Sequence, residues 1–129
     1  MHANAASGGV RVLLRVEGLV VLVVSLLAYS SWGSGWGLFL LCFFIPDLSL
    51  LGYLAGPRSG AFIYNAAHSY VGALACLALG VFLATPWATI AGIIWVAHIG
   101  FDRALGYGLK YHDGFRYTHL GEIGRSKER

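Results

Sequence analysis

The chain has 129 residues, 57% of them hydrophobic and only 12% charged, with a mean hydropathy of +0.68. A soluble domain this small keeps much of its surface in water and carries about a quarter charged residues. So little charge excludes a soluble enzyme, a nucleic-acid module and a disordered tail, and marks a membrane protein.

The net charge of +3 does not restore a nucleic-acid reading, because position matters more than the sum. The basic residues sit at the two ends and at Arg58, with no stripe and no interleaved aromatic platform. Cys42 and Cys76 each lie inside an apolar run, where small apolar fillers are expected rather than a disulfide. No zinc-knuckle spacing is present.

Four apolar stretches follow in chain order, at 16–33, 36–56, 60–84 and 86–109. Each is long enough for a helix to cross a hydrocarbon core of roughly 30 Å. Ser30-Ser31-Trp32-Gly33-Ser34-Gly35 separates the first two, Gly56-Pro57-Arg58-Ser59-Gly60 the next two, and Thr85-Pro86-Trp87 the last two. Connections this short make neighbours antiparallel. The expected fold is all-α: a polytopic membrane protein, one domain over 1–129, an antiparallel bundle of four transmembrane helices with an interfacial tail at 110–129. A cleaved signal peptide ending near Ala28-Tyr29-Ser30 is the alternative for the first stretch, opposed by its long leader and by Glu17.

Orientation follows from Lys and Arg. Arg11 and Arg15 precede the first stretch, Arg58 lies between the second and third, and Arg103, Lys110, Arg116, Arg125, Lys127 and Arg129 stand at or beyond the end of the fourth. The positive-inside rule then places both termini and the middle loop in the cytoplasm, with Trp32, Trp36 and Trp87 at the outer interface.

Ionisable residues inside spans are costly and face the bundle interior. Taking 1.5 Å of rise per residue from the nearest basic marker, Asp47 lies about 16 Å deep, His68 about 15 Å, His98 about 18 Å, Asp102 about 12 Å and Glu17 about 9 Å. His68, Gly72, Cys76 and Gly80 recur every four residues, with Tyr64 and Gly60 extending the row. Small residues at this spacing mark a close helix contact and turn His68 inward. His98 and Asp102, also four apart, share a face. Asp47, His68, His98 and Asp102 thus compose a candidate site for a divalent metal, and their nitrogen and oxygen donors suit zinc, manganese or iron. A structural polar network is the competing reading: Asp102 paired with Arg103 or Arg58, and Asp47 capping a turn disrupted by Pro46. Glu17 is a weaker candidate, since Arg15 or water can satisfy it.

The segment from Gly106 to Gly121 alternates aromatic and basic residues, as a headgroup-level anchor does. A lid over the polar layer, with Arg116 and His119 meeting an anionic group, is the functional reading. Spacing alone does not make ligands of His112 and His119.

Four segments together carry a resemblance: Phe44-Ile45-Pro46-Asp47-Leu48-Ser49-Leu50-Leu51-Gly52-Tyr53-Leu54, Tyr64-Asn65-Ala66-Ala67-His68-Ser69-Tyr70, the run from His98 to Tyr111, and Thr118-His119-Leu120-Gly121. Nearly the whole chain resembles the bacterial integral membrane family called domain of unknown function 4260, which implies a bacterial inner (cytoplasmic) membrane location. The order Pro-Asp, His-Ser, His-x-x-x-Asp is more distantly similar to inner-membrane metal-dependent hydrolases of the YdjM type. That likeness implies Asp47, His68, His98 and Asp102 as metal ligands. Two departures, Ser49 in place of a second acid and Tyr64-Asn65 in place of a His-Arg pair, imply a metal site that is poorer, single rather than paired, or lost.

Two functions stay open at this stage. One is metal-dependent hydrolysis of a lipid-like substrate, with Asp102 or Glu17 as general base and Tyr64, Asn65, Tyr107, Lys110, Arg116 and His119 around an anionic group. The other is a non-catalytic homo-oligomer, a small transporter, channel subunit or scaffold, whose glycine rows supply the contact surface. The bilayer is the expected partner in both; nucleic acid is not.

Overall fold

Four helical crossings, each long and apolar enough to span a membrane, make up the protein: Gly8–Trp32, Trp36–Ala55, Pro57–Phe82 and Pro86–Leu105. The computed structural model describes residues 7–110 and 117–122. Only the first and last crossings are unbroken α-helices, and the two broken ones carry half of the candidate site.

The first crossing is α1 (Gly8–Trp32). It starts ahead of the apolar boundary near residue 16, because helical hydrogen bonding extends through the segment that bears Arg11 and Arg15. The second begins as α2 (Trp36–Phe43) and continues as a 3-10 helix, Ile45–Ala55. Pro46 at the start of that segment removes an amide donor and clashes with the carbonyl one turn back. The apolar stretch expected over 36–56 is thus a single crossing built from two helical segments. Runs of 3-10 helix beyond three or four residues are uncommon, and this one carries Asp47 in its first turn.

The third crossing is likewise divided, into α3 (Pro57–His68) and α4 (Tyr70–Phe82). Ser69 between them is extended (φ −89°, ψ 147°), and its hydroxyl accepts from the Val71 N–H as an N-cap. The four-residue row from Gly60 to Gly80 therefore belongs to two helices rather than one. Its members still make close contacts. Gly60 lies against the Tyr53 ring, and Gly80 against the Ala88–Thr89 backbone.

The fourth crossing, α5 (Pro86–Leu105), is the core of the bundle and is buried along most of its length. Gly106, in the left-handed region (φ 96°, ψ 10°), ends it short of the expected residue 109. Backbone meets backbone where α1 crosses α5: a Cβ on Gly100 would stand 2.8 Å from the Gly18 carbonyl oxygen and 2.9 Å from the Leu22 nitrogen. Toward the other end, Tyr29, Phe39, Phe43, Ile93, Ile94 and Ala97 form the largest apolar cluster. Trp32, Trp36 and Trp87 are exposed at that end.

At the N-terminal end of the bundle the chain folds back on itself. Tyr117–Thr118 (β1) pairs antiparallel with Gly121–Glu122 (β2), and Lys110 bridges to Thr118. Leu120 and Thr118 are fully buried there. Arg11 donates to the Leu120 carbonyl, and the Arg15 Nε donates to the Ala104 carbonyl at 3.0 Å.

Candidate metal centre

Three elements deliver the four intramembrane residues. Asp47 comes from the first turn of the 3-10 helix, His68 is the last residue of α3, and His98 and Asp102 lie one turn apart on α5. The helix break at Ser69 matters directly, since it leaves the last carbonyls of α3 without intrahelical donors. Side chains of α5 supply them: the Trp95 indole donates to Ala67 O at 2.6 Å, and the Arg103 Nη2 donates to His68 O at 2.9 Å. These bonds hold the end of α3, and with it His68, against α5.

One donor atom from each residue converges on a single point, all within 4.8 Å of one another. His68 Nε2 lies 3.1 Å from Asp47 Oδ1, 3.4 Å from Asp102 Oδ2 and 3.1 Å from His98 Nε2. His98 Nε2 lies 3.2 Å from Asp47 Oδ1 and 3.3 Å from Asp102 Oδ2. A tetrahedron with metal–ligand bonds of about 2.0–2.1 Å has edges of about 3.3–3.4 Å, and five of the six edges, at 3.1–3.4 Å, lie at or slightly below that length.

Tautomer logic makes the case stronger than distance alone. His68 Nδ1 lies 3.1 Å from the Tyr64 carbonyl, which can only accept, so Nδ1 carries the hydrogen. In neutral His68 the Nε2 lone pair is then aimed at two carboxylate oxygens and a second imidazole nitrogen. Acceptors crowded together in a buried place need protons or a cation between them. Both imidazoles are almost wholly buried, Asp102 is nearly so, and only the Asp47 side chain, at 39% exposure, is reachable. A metal-binding histidine whose second nitrogen donates to a backbone carbonyl is the usual outer arrangement. Packing fixes the rings: Tyr64 stacks on His68 at 3.8 Å and 6°, and Phe43 meets His98 edge-on at 5.1 Å.

The remaining expected site residues are dispersed. Glu17 is exposed on α1 and is not among the converging donors. Tyr64 lies against His68, and the Lys110 ammonium sits 4.8 Å over its ring. Asn65 clips the chain beyond α5 in place, its Nδ2 donating to Lys110 O at 2.8 Å and its Oδ1 accepting from Lys110 N at 2.6 Å. Burial holds the Lys110 ammonium down to about 8, against the opposing pull of Asp102. Tyr107 is exposed. His119 accepts from the Leu109 N–H through Nδ1 at 2.9 Å, and burial with Arg103 nearby pushes it down to about 4. Arg116 and His112 lie outside the described residues.

Sequence reasoning missed the roles of Trp95 and Arg103 as donors to the end of α3, because it read the third crossing as continuous. The available signal was Ser69 itself, an N-cap residue type directly after His68.

These features define a class: small four-crossing membrane proteins with a buried Asp/His cluster between discontinuous helices. The chain matches the family described as Domain of unknown function (DUF4260) over residues 11–123, and it belongs to that family. No curated protein and no solved structure matches the chain.

Proposed function

We propose that Asp47, His68, His98 and Asp102 bind one divalent metal ion, and that the protein is a metal-dependent hydrolase acting on a lipid-like substrate from the cytoplasmic side of a bacterial inner membrane. One observation carries the reading: one ligand atom from each of the four residues lies within 4.8 Å of the others, and the His68 Nδ1 bond to Tyr64 O turns the His68 Nε2 lone pair toward the other three. A divalent ion would supply Lewis acidity to an oxygen of the substrate. The chain's own residues set the conditions around it. The two imidazoles and Asp102 exclude water from the rear of the site, and the accessible Asp47 marks the side from which substrate reaches it. The basic residues near the chain termini support the cytoplasmic orientation.

Turnover tests the reading. Protein reconstituted with zinc or manganese should release p-nitrophenol from p-nitrophenyl palmitate, or phosphate from a long-chain alkyl phosphate. Chelation should abolish that release, and His98→Ala or Asp102→Asn should lower it by about 10²-fold or more. Metal-loaded protein that turns over neither substrate, or turnover indifferent to chelation, would refute the hydrolase assignment.

A further inference from the structure

An apolar cleft of about 790 Å³ lies between the second crossing and α5. Leu38 and Cys42 of α2, Pro46 and Ser49 of the 3-10 helix, and Ile90 and Ile94 of α5 line it. Its size falls within the roughly 300–1,000 Å³ of small-molecule pockets. No charged side chain is among its lining residues.

Each wall of the cleft contains a residue next in sequence to, or one helical turn from, a member of the cluster. On α5, Trp87, Ala91 and Ile94 recur at helical spacing, and the same stripe continues into His98 and Asp102. On the facing wall Leu38, Cys42 and Ile45 lead to Pro46, the residue before Asp47. A third side is closed by Ala67, the residue before His68. From Trp87 to His98 the path is about 16 Å at 1.5 Å per residue, about half of a hydrocarbon core roughly 30 Å thick. At the inner end the Ser49 hydroxyl is buried, with no hydrogen-bond partner among the described residues.

We infer that this cleft seats the hydrocarbon chain of one acyl amphiphile, with its carbonyl end toward Ser49 and the Asp47–His98 cluster and its tail running toward Trp87. The uncharged lining and the one unpartnered hydroxyl select this occupant. The uncharged walls suit a chain already in the bilayer, and the buried Ser49 hydroxyl among the lining residues suits an ester or carboxyl oxygen, which satisfies that hydroxyl. The fate of the head rests on the metal-dependent reading above; the seat for the tail does not. Ala91 is the small residue on the α5 wall, so a bulky side chain there obstructs the chain without touching the donors.

The test is photo-crosslinking of the full-length protein in nanodiscs, with palmitic acid bearing a diazirine on its chain as the probe. Label should map to the cleft, on α2 near Cys42 and on α5 near Ile90 and Ile94. Excess unlabelled palmitate should compete it away. Ala91→Trp should reduce cleft labelling about tenfold or more while metal content stays at wild-type stoichiometry. Ser49→Ala, a smaller change less exposed to misfolding, should weaken competition by unlabelled palmitate several-fold but leave competition by hexadecane unchanged. His68→Ala protein that has lost metal but keeps saturable cleft labelling would sustain this inference while the metal-dependent reading is judged separately. Label spread without saturation over the lipid-facing side of α1, or a cleft blocked by a helix of a second copy and therefore unlabelled, would overturn it.

Discussion

At the scale of single residues, the site is governed by which atom of each imidazole holds the hydrogen. His68 donates through Nδ1 to a carbonyl of its own helix, so its other nitrogen can only accept unless it is protonated. His98 adds a buried Nδ1 with no hydrogen-bond partner among the described residues, leaving its Nε2 to the cluster. His119 shows the same logic outside the bundle. It is neutral in the folded protein, held down to about 4 by burial and by Arg103, and accepts from the Leu109 N–H. Its ordinary value is about 6.5, so the unfolded chain takes up a proton before the folded one does. The stabilisation His119 gives the tail is thus complete above about pH 6.5 and is lost as pH falls toward 4. Hydrogen exchange at the Leu109 amide, corrected for its intrinsic rate, should lose protection over that interval. His119→Gln, which retains an acceptor but does not titrate, should flatten the profile.

At the scale of elements, two interruptions do the positioning. Pro46 turns α2 into a 3-10 helix, and Ser69 divides α3 from α4. Non-helical backbone at membrane depth is tolerated where protein satisfies its polar groups, and here Trp95 and Arg103 do so for the end of α3. The four crossings, their short turns and the convergence of Asp47, His68, His98 and Asp102 were legible from apolar run lengths and from depth counted along each helix. The interruptions were less so, because hydropathy reports the medium around a segment and not its backbone hydrogen bonding. Pro46 was visible, but the length of the 3-10 run depends on how the second crossing packs on α3. The Gly18–Gly100 crossing was invisible for a similar reason, since it joins the first and last crossings and no local spacing announces it. Gly100→Ala should destabilise the protein by about 1–3 kcal/mol through overpacking, measured by unfolding in mixed micelles. Gly37→Ala, where an added Cβ meets nothing within 4 Å, should be neutral or slightly stabilising.

At the scale of the whole molecule, scarce charge is divided between two tasks. Arg11, Arg15 and Arg103 tie the end of the bundle together through backbone carbonyls. Asp47 and Asp102 lie within the crossings, where an unneutralised carboxylate is strongly unfavourable. A bundle that only needed to pack would be served better by apolar residues there. In the metal-dependent reading proposed above a cation offsets that cost, and the apolar cleft that includes Pro46 and Ala67 is the proposed seat of the substrate's chain. The most direct test is the metal content of protein purified in mild detergent without chelator. Wild-type protein should carry about one divalent ion per chain, and folded Asp47→Ala and His68→Ala should carry almost none. Wild-type protein that is metal-free and takes up neither zinc, manganese nor iron on titration would contradict the account.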